Sequence, residues 1–408
     1  MVLVVVVVAA AHLAFVGARL AVFVGDPSGF VTAGELTTDP TAAPDYLLVT
    51  SGTHGYDGQA YFRLTRDPLT DDVTGEGITF TRPAYWQSRI GYPLAAWVAS
   101  GGGHGPAVPG AMLAVNLIAV LALTLLAARF ALSRGRSAWW GAVPAAWGGY
   151  VVGVGQDLTE PLAAVLLLAS LYAMRMGSFM PAAVALTAAA LTRETTLVVA
   201  VAVLLGSVPV IAGSTRSRLV GTIPPWWVGA GPLVAYAGWR WWVRARWSDQ
   251  VPNPPSDNPL GPPFMALLDG LAHGLTHLDA QWPNLVLLLP TLAALVLAGT
   301  AVRLRDEPLH ERLALAAYLV VLLCLPVWDR GQAYLRWGCE PMLLGWLLLV
   351  GRLHPRVRTE RATEPVGCDD RALVALSTLS VVVWVVAATQ SVAYPRLDGA
   401  WSGWWTWS

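Results

Sequence analysis

Val2-Leu3-Val4-Val5-Val6-Val7-Val8-Ala9-Ala10-Ala11-His12-Leu13-Ala14-Phe15-Val16-Gly17-Ala18-Arg19-Leu20-Ala21-Val22-Phe23-Val24 holds a single formal charge, Arg19. A run of about 18 or more apolar residues is long enough to cross the roughly 30 Å hydrocarbon core of a bilayer. A secretory signal would carry a basic n-region and a shorter apolar stretch, so the run reads as a retained first span. Further apolar segments follow near 107–132, 137–155, 161–176, 179–192, 195–212, 219–243, 284–302, 313–328, 340–351 and 372–391. Several are short for a bilayer, as broken or re-entrant helices are where they line a protein cavity. The whole chain agrees: 55% of its 408 residues are hydrophobic and 13% charged, against about 25% charged in a soluble domain. The expected fold is an all-α polytopic integral membrane protein of about eleven spans, with 1–408 as one transmembrane domain.

The charges between the runs sort by side. Arg134, Arg136, Arg175, Arg216, Arg218, Arg303, Arg305, Arg312, Arg352, Arg356, Arg358, Arg361 and Arg371 fall in one set of loops. With Arg129 at the end of a span, that set holds 14 of the 26 arginines and only seven acids, while the other 19 acids lie opposite. Arginine-rich loops stay in the cytoplasm. The N-terminus is then inside and two long segments are outside. These are 26–106, a first outer loop expected to carry amphipathic helices, and 244–283, proline-rich between Pro252 and Pro263. Residues 352–371 read as a cytoplasmic basic linker. Trp401, Trp404, Trp405 and Trp407 suit an interfacial aromatic belt. The net charge is zero, so nothing electrostatic points to nucleic acid. Cys324, Cys339 and Cys368 lack metal-site spacing. No internal repeat of fixed period is visible.

The densest polar island is His54-Gly55-Tyr56-Asp57-Gly58-Gln59-Ala60-Tyr61-Phe62-Arg63, with Arg66 after it. Other polar clusters fall on the same membrane face under this topology. They are Ser88-Arg89-Ile90-Gly91-Tyr92-Pro93, Gln156-Asp157-Leu158-Thr159-Glu160-Pro161, Thr192-Arg193-Glu194, and Trp328-Asp329-Arg330 with Arg336. A charge costs roughly 2.5–3.5 kcal/mol at the centre of a membrane helix and less near an interface. These groups are therefore expected to face one another or a wet cavity. Each also has a plainer explanation. Arg193 and Glu194 can pair within a turn. Asp157 and Glu160 can be helix N-terminal acids before Pro161. Arg330 and Arg336 can be interfacial arginines, and Asp57-Gly58 an ordinary turn. Asp71-Asp72 fits a solvated loop better than a divalent-ion site. His273, His277 and Asp279 have spacing compatible with a metal but too few ligands.

Tyr56-Asp57-Gly58-Gln59-Ala60-Tyr61-Phe62, with Arg66-Asp67-Pro68 after it, resembles the first outer loop of GT-C superfamily glycosyltransferases. In that superfamily an acid lies just after the first span, often followed by aromatics and a short amphipathic helix. Mannosyltransferases of the GPI pathway have a similar acid-Gly-aromatic pattern. Arg89-Ile90-Gly91-Tyr92-Pro93-Leu94, Asp157-Leu158-Thr159-Glu160-Pro161 and Leu191-Thr192-Arg193-Glu194 resemble segments of actinobacterial membrane proteins in this group. The likeness covers roughly residues 1–200. The chain departs from oligosaccharyltransferase-like members, having neither an Asp-x-Asp in the island nor a large soluble C-terminal domain. A divalent metal is thus possible but unsupported by that motif, and no cofactor is assigned.

The resemblance implies a GT-C-like bundle in a bacterial plasma membrane, its site facing outward. It implies a polyprenyl-phosphate sugar as donor, drawn from the membrane lipids, and a glycan, glycolipid or protein as acceptor, with mannose and arabinose fitting equally as the sugar. Such a transfer inverts the anomeric centre and needs a carboxylate to take the acceptor proton; Asp57 fits that role. The departing phosphate needs fixed cations, and an arginine fork suits phosphate oxygens. Arg89, Arg193, Arg330 and Arg336 are the candidates. Tyr56, Gln59, Tyr61, Arg63, Asp157, Glu160 and Glu194 are candidates for holding substrate, and Tyr85 and Trp86 for stacking on a sugar ring or prenyl chain. Two other classes remain open. A transporter or lipid flippase would use the same charges as a pathway, although they lie away from the midplane and no repeat halves are visible. A non-catalytic protein could keep the same fold and bind a lipid or partner.

Overall fold

The computed structural model describes residues 1–208, 223–248, 260–328, 331–352, 368–392 and 394. The fold is mostly helical, at 73%, and β-structure among the described residues is two short strand pairings and an isolated bridge between Thr38 and Ile78. Helices satisfy their backbone polar groups internally, as hydrocarbon surroundings require. Four helices are long and apolar enough to cross a membrane: Val2–Val22, Gly105–Ser133, Gln281–Arg303 and Arg371–Ser391. They coincide with four of the eleven expected segments, and together they mark a membrane-embedded protein.

Of the others, 161–176, 179–192, 313–328 and 340–351 become helices whose ends fall within four residues of the expected bounds, while 137–155 and 219–243 depart further. The 137–155 segment breaks into a 3-10 turn at Ala138–Gly141 and helices Ala142–Ala145 and Gly148–Gly155, with Trp147 extended between the last two. Pro144 and the glycines at 148, 149 and 153 explain why no single helix forms there. The 219–243 segment shifts to Trp227–Trp247, whose Arg240, Arg244 and Arg246 dilute its apolar character. Glu160–Arg175, Phe179–Thr192, Leu197–Gly206, Leu309–Cys324 and Cys339–Gly351 are short helices of 16, 14, 10, 16 and 13 residues. The basic linker lies almost wholly outside the described residues, as do 209–222 and 249–259.

The short helices pack against the long ones and against each other. Glu160–Arg175 lies against Val108–Ser133 and Phe179–Thr192, and every residue of Cys339–Gly351 is buried. Glu160–Arg175 rises roughly 24 Å at 1.5 Å per residue and joins two charged layers. At its C-terminal end Arg175 binds Glu311 (2.8 and 2.5 Å) and Glu307 (2.6 Å), and its guanidinium lies 5.2 Å from the ring centre of Phe130. At its N-terminal end sits Glu160. Phe130 belongs to Val108–Ser133, so the two helices finish together at the Arg175 end. Near the other end of the long helix, Asn116 donates to Gly153 O (3.3 Å) and to the Tyr92 hydroxyl (2.9 Å), beside Asp157. The long helix continues eight residues past that level to Val108.

Residues 26–106 form a structured cap. Helices Asp57–Arg66, Pro83–Gln87 and Gly91–Ala99 alternate with a parallel pairing of Ala33–Gly34 to Val49–Thr50 and an antiparallel one of Thr74–Gly75 to Ile78–Thr79. Asp57-Gly58 is not a turn but the first turn of a helix. Gly58 is required there by proximity: a side chain at 58 would run into the backbone oxygens of Gln156 and Val31. The helix start is thereby seated against the turn that precedes Glu160.

Candidate functional site

A cavity of about 380 Å³ opens where the cap meets the short helices. Asp57, Arg89, Arg193, Arg336, Tyr85 and Trp86 are among its lining residues. Asp57 stands at the first position of its helix, where the positive end of the helix dipole favours an acid. Its Oδ1 accepts from the Trp86 indole (3.1 Å), and its Oδ2 is held by Arg336 through Nη1 (3.2 Å) and Nη2 (3.1 Å). Arg336 also donates from Nε to Glu160 Oε1 (2.5 Å) and from Nη1 to the Tyr56 hydroxyl (2.8 Å). Arg193 lies 2.8 Å from Glu160 Oε1 and 3.2 Å from Glu340 Oε1, as ion pairs with which its Nε–H and Nη1–H are not aligned. Thr195 donates to the same Glu340 oxygen at 2.6 Å. Arg89 grips Glu194 with both ends of its fork (2.7 and 2.6 Å), donates to the Tyr61 hydroxyl (3.2 Å) and lies over the Tyr85 ring at 4.3 Å.

These contacts gather distant stretches of the chain into one charged cluster, built of two groups that meet at the adjacent Arg193 and Glu194. Its carboxylates are Asp57, Glu160, Glu194 and Glu340, and its arginines are Arg89, Arg193 and Arg336. Arg193 and Glu194 turn to different partners, so their adjacency is not a local ion pair. Burial pushes the Tyr85 phenol up to about 12, and it pushes the Tyr61 phenol up as well, so both remain hydroxyl donors. Burial draws the Arg63 guanidinium down to about 10, still protonated.

Of the expected substrate contacts, Tyr56 and Gln59 line the cavity, and Tyr61, Arg63, Asp157, Glu160 and Glu194 lie outside its lining. Arg63 points away from the cavity: it donates to Val73 O (2.6 Å), Ile78 O (3.1 Å) and Asp72 O and lies 3.9 Å from the Phe80 ring centre, fastening the 72–79 hairpin. Gln59 lines the cavity but spends its amide on the cap. Its Oε1 accepts from Gly34 N (3.2 Å), Thr37 Oγ1 (3.0 Å) and Thr38 Oγ1 (2.9 Å), and its Nε2 donates to His54 O (2.9 Å). Asp157 is fully buried beneath the site at a left-handed backbone position (φ 50°), with Oδ1 3.3 Å from the Tyr92 hydroxyl. Tyr61 and Glu194 contact Arg89, and Glu160 contacts Arg193 and Arg336. Arg330 lies outside the described residues.

The reading of the sequence missed Glu340. A signal was available: Glu340-Pro341 opens an apolar helix just as Glu160-Pro161 does, and a lone acid there needs a cationic partner. It also missed Arg82, which lines the cavity. Among the described residues no three His, Cys, Asp or Glu side chains cluster to hold a metal ion. His273 and His277 lie with ring centres 4.4 Å apart on an exposed helix end. No family model matches this chain, and no curated protein or solved structure does.

Proposed function

We propose that this chain is an inverting membrane glycosyltransferase that moves a sugar from a polyprenyl-phosphate donor to an acceptor hydroxyl at the outer face of a bacterial plasma membrane. The observation that carries the proposal is one partly open carboxylate, Asp57 at 22% exposure, on the wall of a cavity also lined by Arg89, Arg193 and Arg336. The volume falls within the roughly 300–1,000 Å³ of small-molecule sites. The proposed fold is a GT-C-like bundle of about eleven crossings, the short helices completing the four long ones as broken or buried spans.

In the proposed reaction the acceptor oxygen attacks the anomeric carbon from the side opposite the phosphate. Its proton passes to an oxygen of Asp57 as the new C–O bond forms. The bond from the anomeric carbon to the phosphate oxygen breaks, and its electron pair leaves with the polyprenyl phosphate. The arginines face that growing negative charge in a site already shaped for it. Tyr56, Tyr85 and Trp86 offer hydroxyl groups and ring faces for the sugar.

The test is transfer of labelled sugar from polyprenyl-phosphate donors by the purified protein. Asp57→Asn is expected to lower transfer by roughly 100-fold or more. Full transfer by Asp57→Asn at normal protein levels would show that Asp57 is not the base. Donor binding without turnover would favour a lipid-binding protein. Movement of donor across vesicles without sugar transfer would favour a transporter or flippase.

A further inference from the structure

Arg336 is shared between two carboxylates of different accessibility. Its Nε holds Glu160, which is fully buried, at 2.5 Å. Its Nη1 and Nη2 hold Asp57 Oδ2 at 3.2 and 3.1 Å, on the cavity wall. One edge of the fork is therefore fixed in the protein and the other is turned to the cavity. A carboxylate on that second edge occupies the position an entering anion needs. Phosphate oxygens suit the planar guanidinium fork as carboxylate oxygens do. Asp57 also has a second, neutral partner on its other oxygen, the Trp86 indole at 3.1 Å, which can keep the side chain in place if Arg336 lets go. Arg89 is arranged differently, since its carboxylate partner Glu194 lies outside the cavity lining.

We infer that Asp57 and a phosphate group compete for the cavity-facing N–H groups of Arg336, so that phosphate binding releases the Asp57 carboxylate. The inference deepens the glycosyltransferase reading and rests on it for its consequence. While Arg336 holds Oδ2, that oxygen is taken and unavailable to an acceptor hydroxyl. Donor phosphate takes over Arg336, Glu160 keeps the guanidinium in place, and the freed Oδ2 becomes the proton acceptor. Binding is then ordered, donor before acceptor.

Competition makes an unusual demand: removing Asp57 must tighten phosphate binding. The full-length protein in detergent is titrated separately with inorganic phosphate and with polyprenyl phosphate. The variants are Asp57→Asn, Asp57→Ala, Arg336→Gln and the double Asp57→Ala/Arg336→Gln, each first checked for a native elution profile and thermal unfolding. The Asp57 variants are expected to bind about fivefold or more tighter than the unmodified protein. Arg336→Gln weakens binding, and the double variant shows no gain. A gain with both probes identifies the phosphate group itself as the competitor, and a gain with polyprenyl phosphate alone adds a requirement for the lipid; either supports the inference. Unchanged or weaker binding by both Asp57 variants overturns it, as does a gain that survives in the double variant or an absence of binding throughout. Sugar transfer measured on the same preparations separates the two ideas. Transfer without the gain leaves the enzyme reading and removes the competition. The gain without transfer keeps the competition and removes the enzyme reading.

Discussion

Glu160 serves two arginines with one oxygen. Its Oε1 meets both Arg336 Nε and Arg193 Nη1, while Oε2 is buried without a hydrogen-bond partner. Removing this carboxylate leaves two guanidinium groups side by side with little water. Breaking a buried ion pair by deleting one partner costs about 3–5 kcal/mol, and Glu160→Ala is expected to lose about 3 kcal/mol or more in chemical unfolding in detergent. Wild-type stability in this variant would mean that the arginines are neutralised by other groups. Arg63 makes a different prediction, because it holds three backbone carbonyls and no carboxylate in the contacts above. Arg63→Lys cannot span them with one ammonium, so protease cleavage between residues 67 and 82 is expected to rise severalfold. Much of this was legible in the sequence. Asp57, Arg89, Arg193 and Arg336 stood out because a charge beside hydrocarbon needs a partner or a wet cavity. Arg63 lies off the cavity: its proximity to Asp57 was read without helical phase. Six positions on from Asp57, it turns to the 72–79 hairpin, while Asp57 lines the cavity.

At the level of elements, the cavity depends on how the short Pro83–Gln87 helix is held, since it carries Tyr85 and Trp86. Gln87 is its anchor. The Gln87 amide donates to Pro68 O and Thr70 O, both at 3.1 Å, and its Oε1 accepts from the Trp247 indole at 2.6 Å. Trp239 donates to Gln87 O (3.0 Å) and Arg240 to Ala84 O (2.7 Å). The Trp227–Trp247 helix is thus a wall that props the donor to Asp57. Gln87→Leu strands the Trp247 N–H and two carbonyls, each unpaired buried group costing about 1–3 kcal/mol. Lower thermal stability together with a raised donor KM is the expected outcome, and stability unchanged in a melting scan would count against it. Gly58→Ala is expected to lift the Asp57 helix off the Gln156 turn and to reduce transfer while leaving the four long helices intact by circular dichroism. The sequence showed those four long helices plainly, through unbroken apolar runs. It did not show the break at 137–155, where hydrophobic content stayed high while Pro144 and paired glycines set the backbone, nor the shift to Trp227–Trp247, where tertiary contacts to the cap extend the helix past an arginine.

For the whole molecule, two charged layers at opposite ends of the short helices suggest a fixed orientation. Under the proposed topology the Asp57 layer faces outward and the Arg175 layer faces the cytoplasm. Single cysteines at Thr41 and Arg305, in a background with Cys324, Cys339 and Cys368 replaced by serine, test it in intact cells. The first is expected to react with a membrane-impermeant maleimide, and the second only after permeabilisation; the reverse pattern would invert the topology. The lengths of neighbouring helices carry a further consequence. Val108–Ser133 and Glu160–Arg175 end together near Phe130 and Arg175, yet the long helix runs on past Asn116, beside the Glu160 turn, to Val108. Eight further residues add roughly 12 Å of height. The Glu160 turn therefore lies well below the level at which this helix, the longest described, begins. Under the proposed function, a donor phosphate reaching Asp57 would leave the headgroup plane and sink toward the acyl chains. In that reading, depth would set the bond to be broken apart from bulk water.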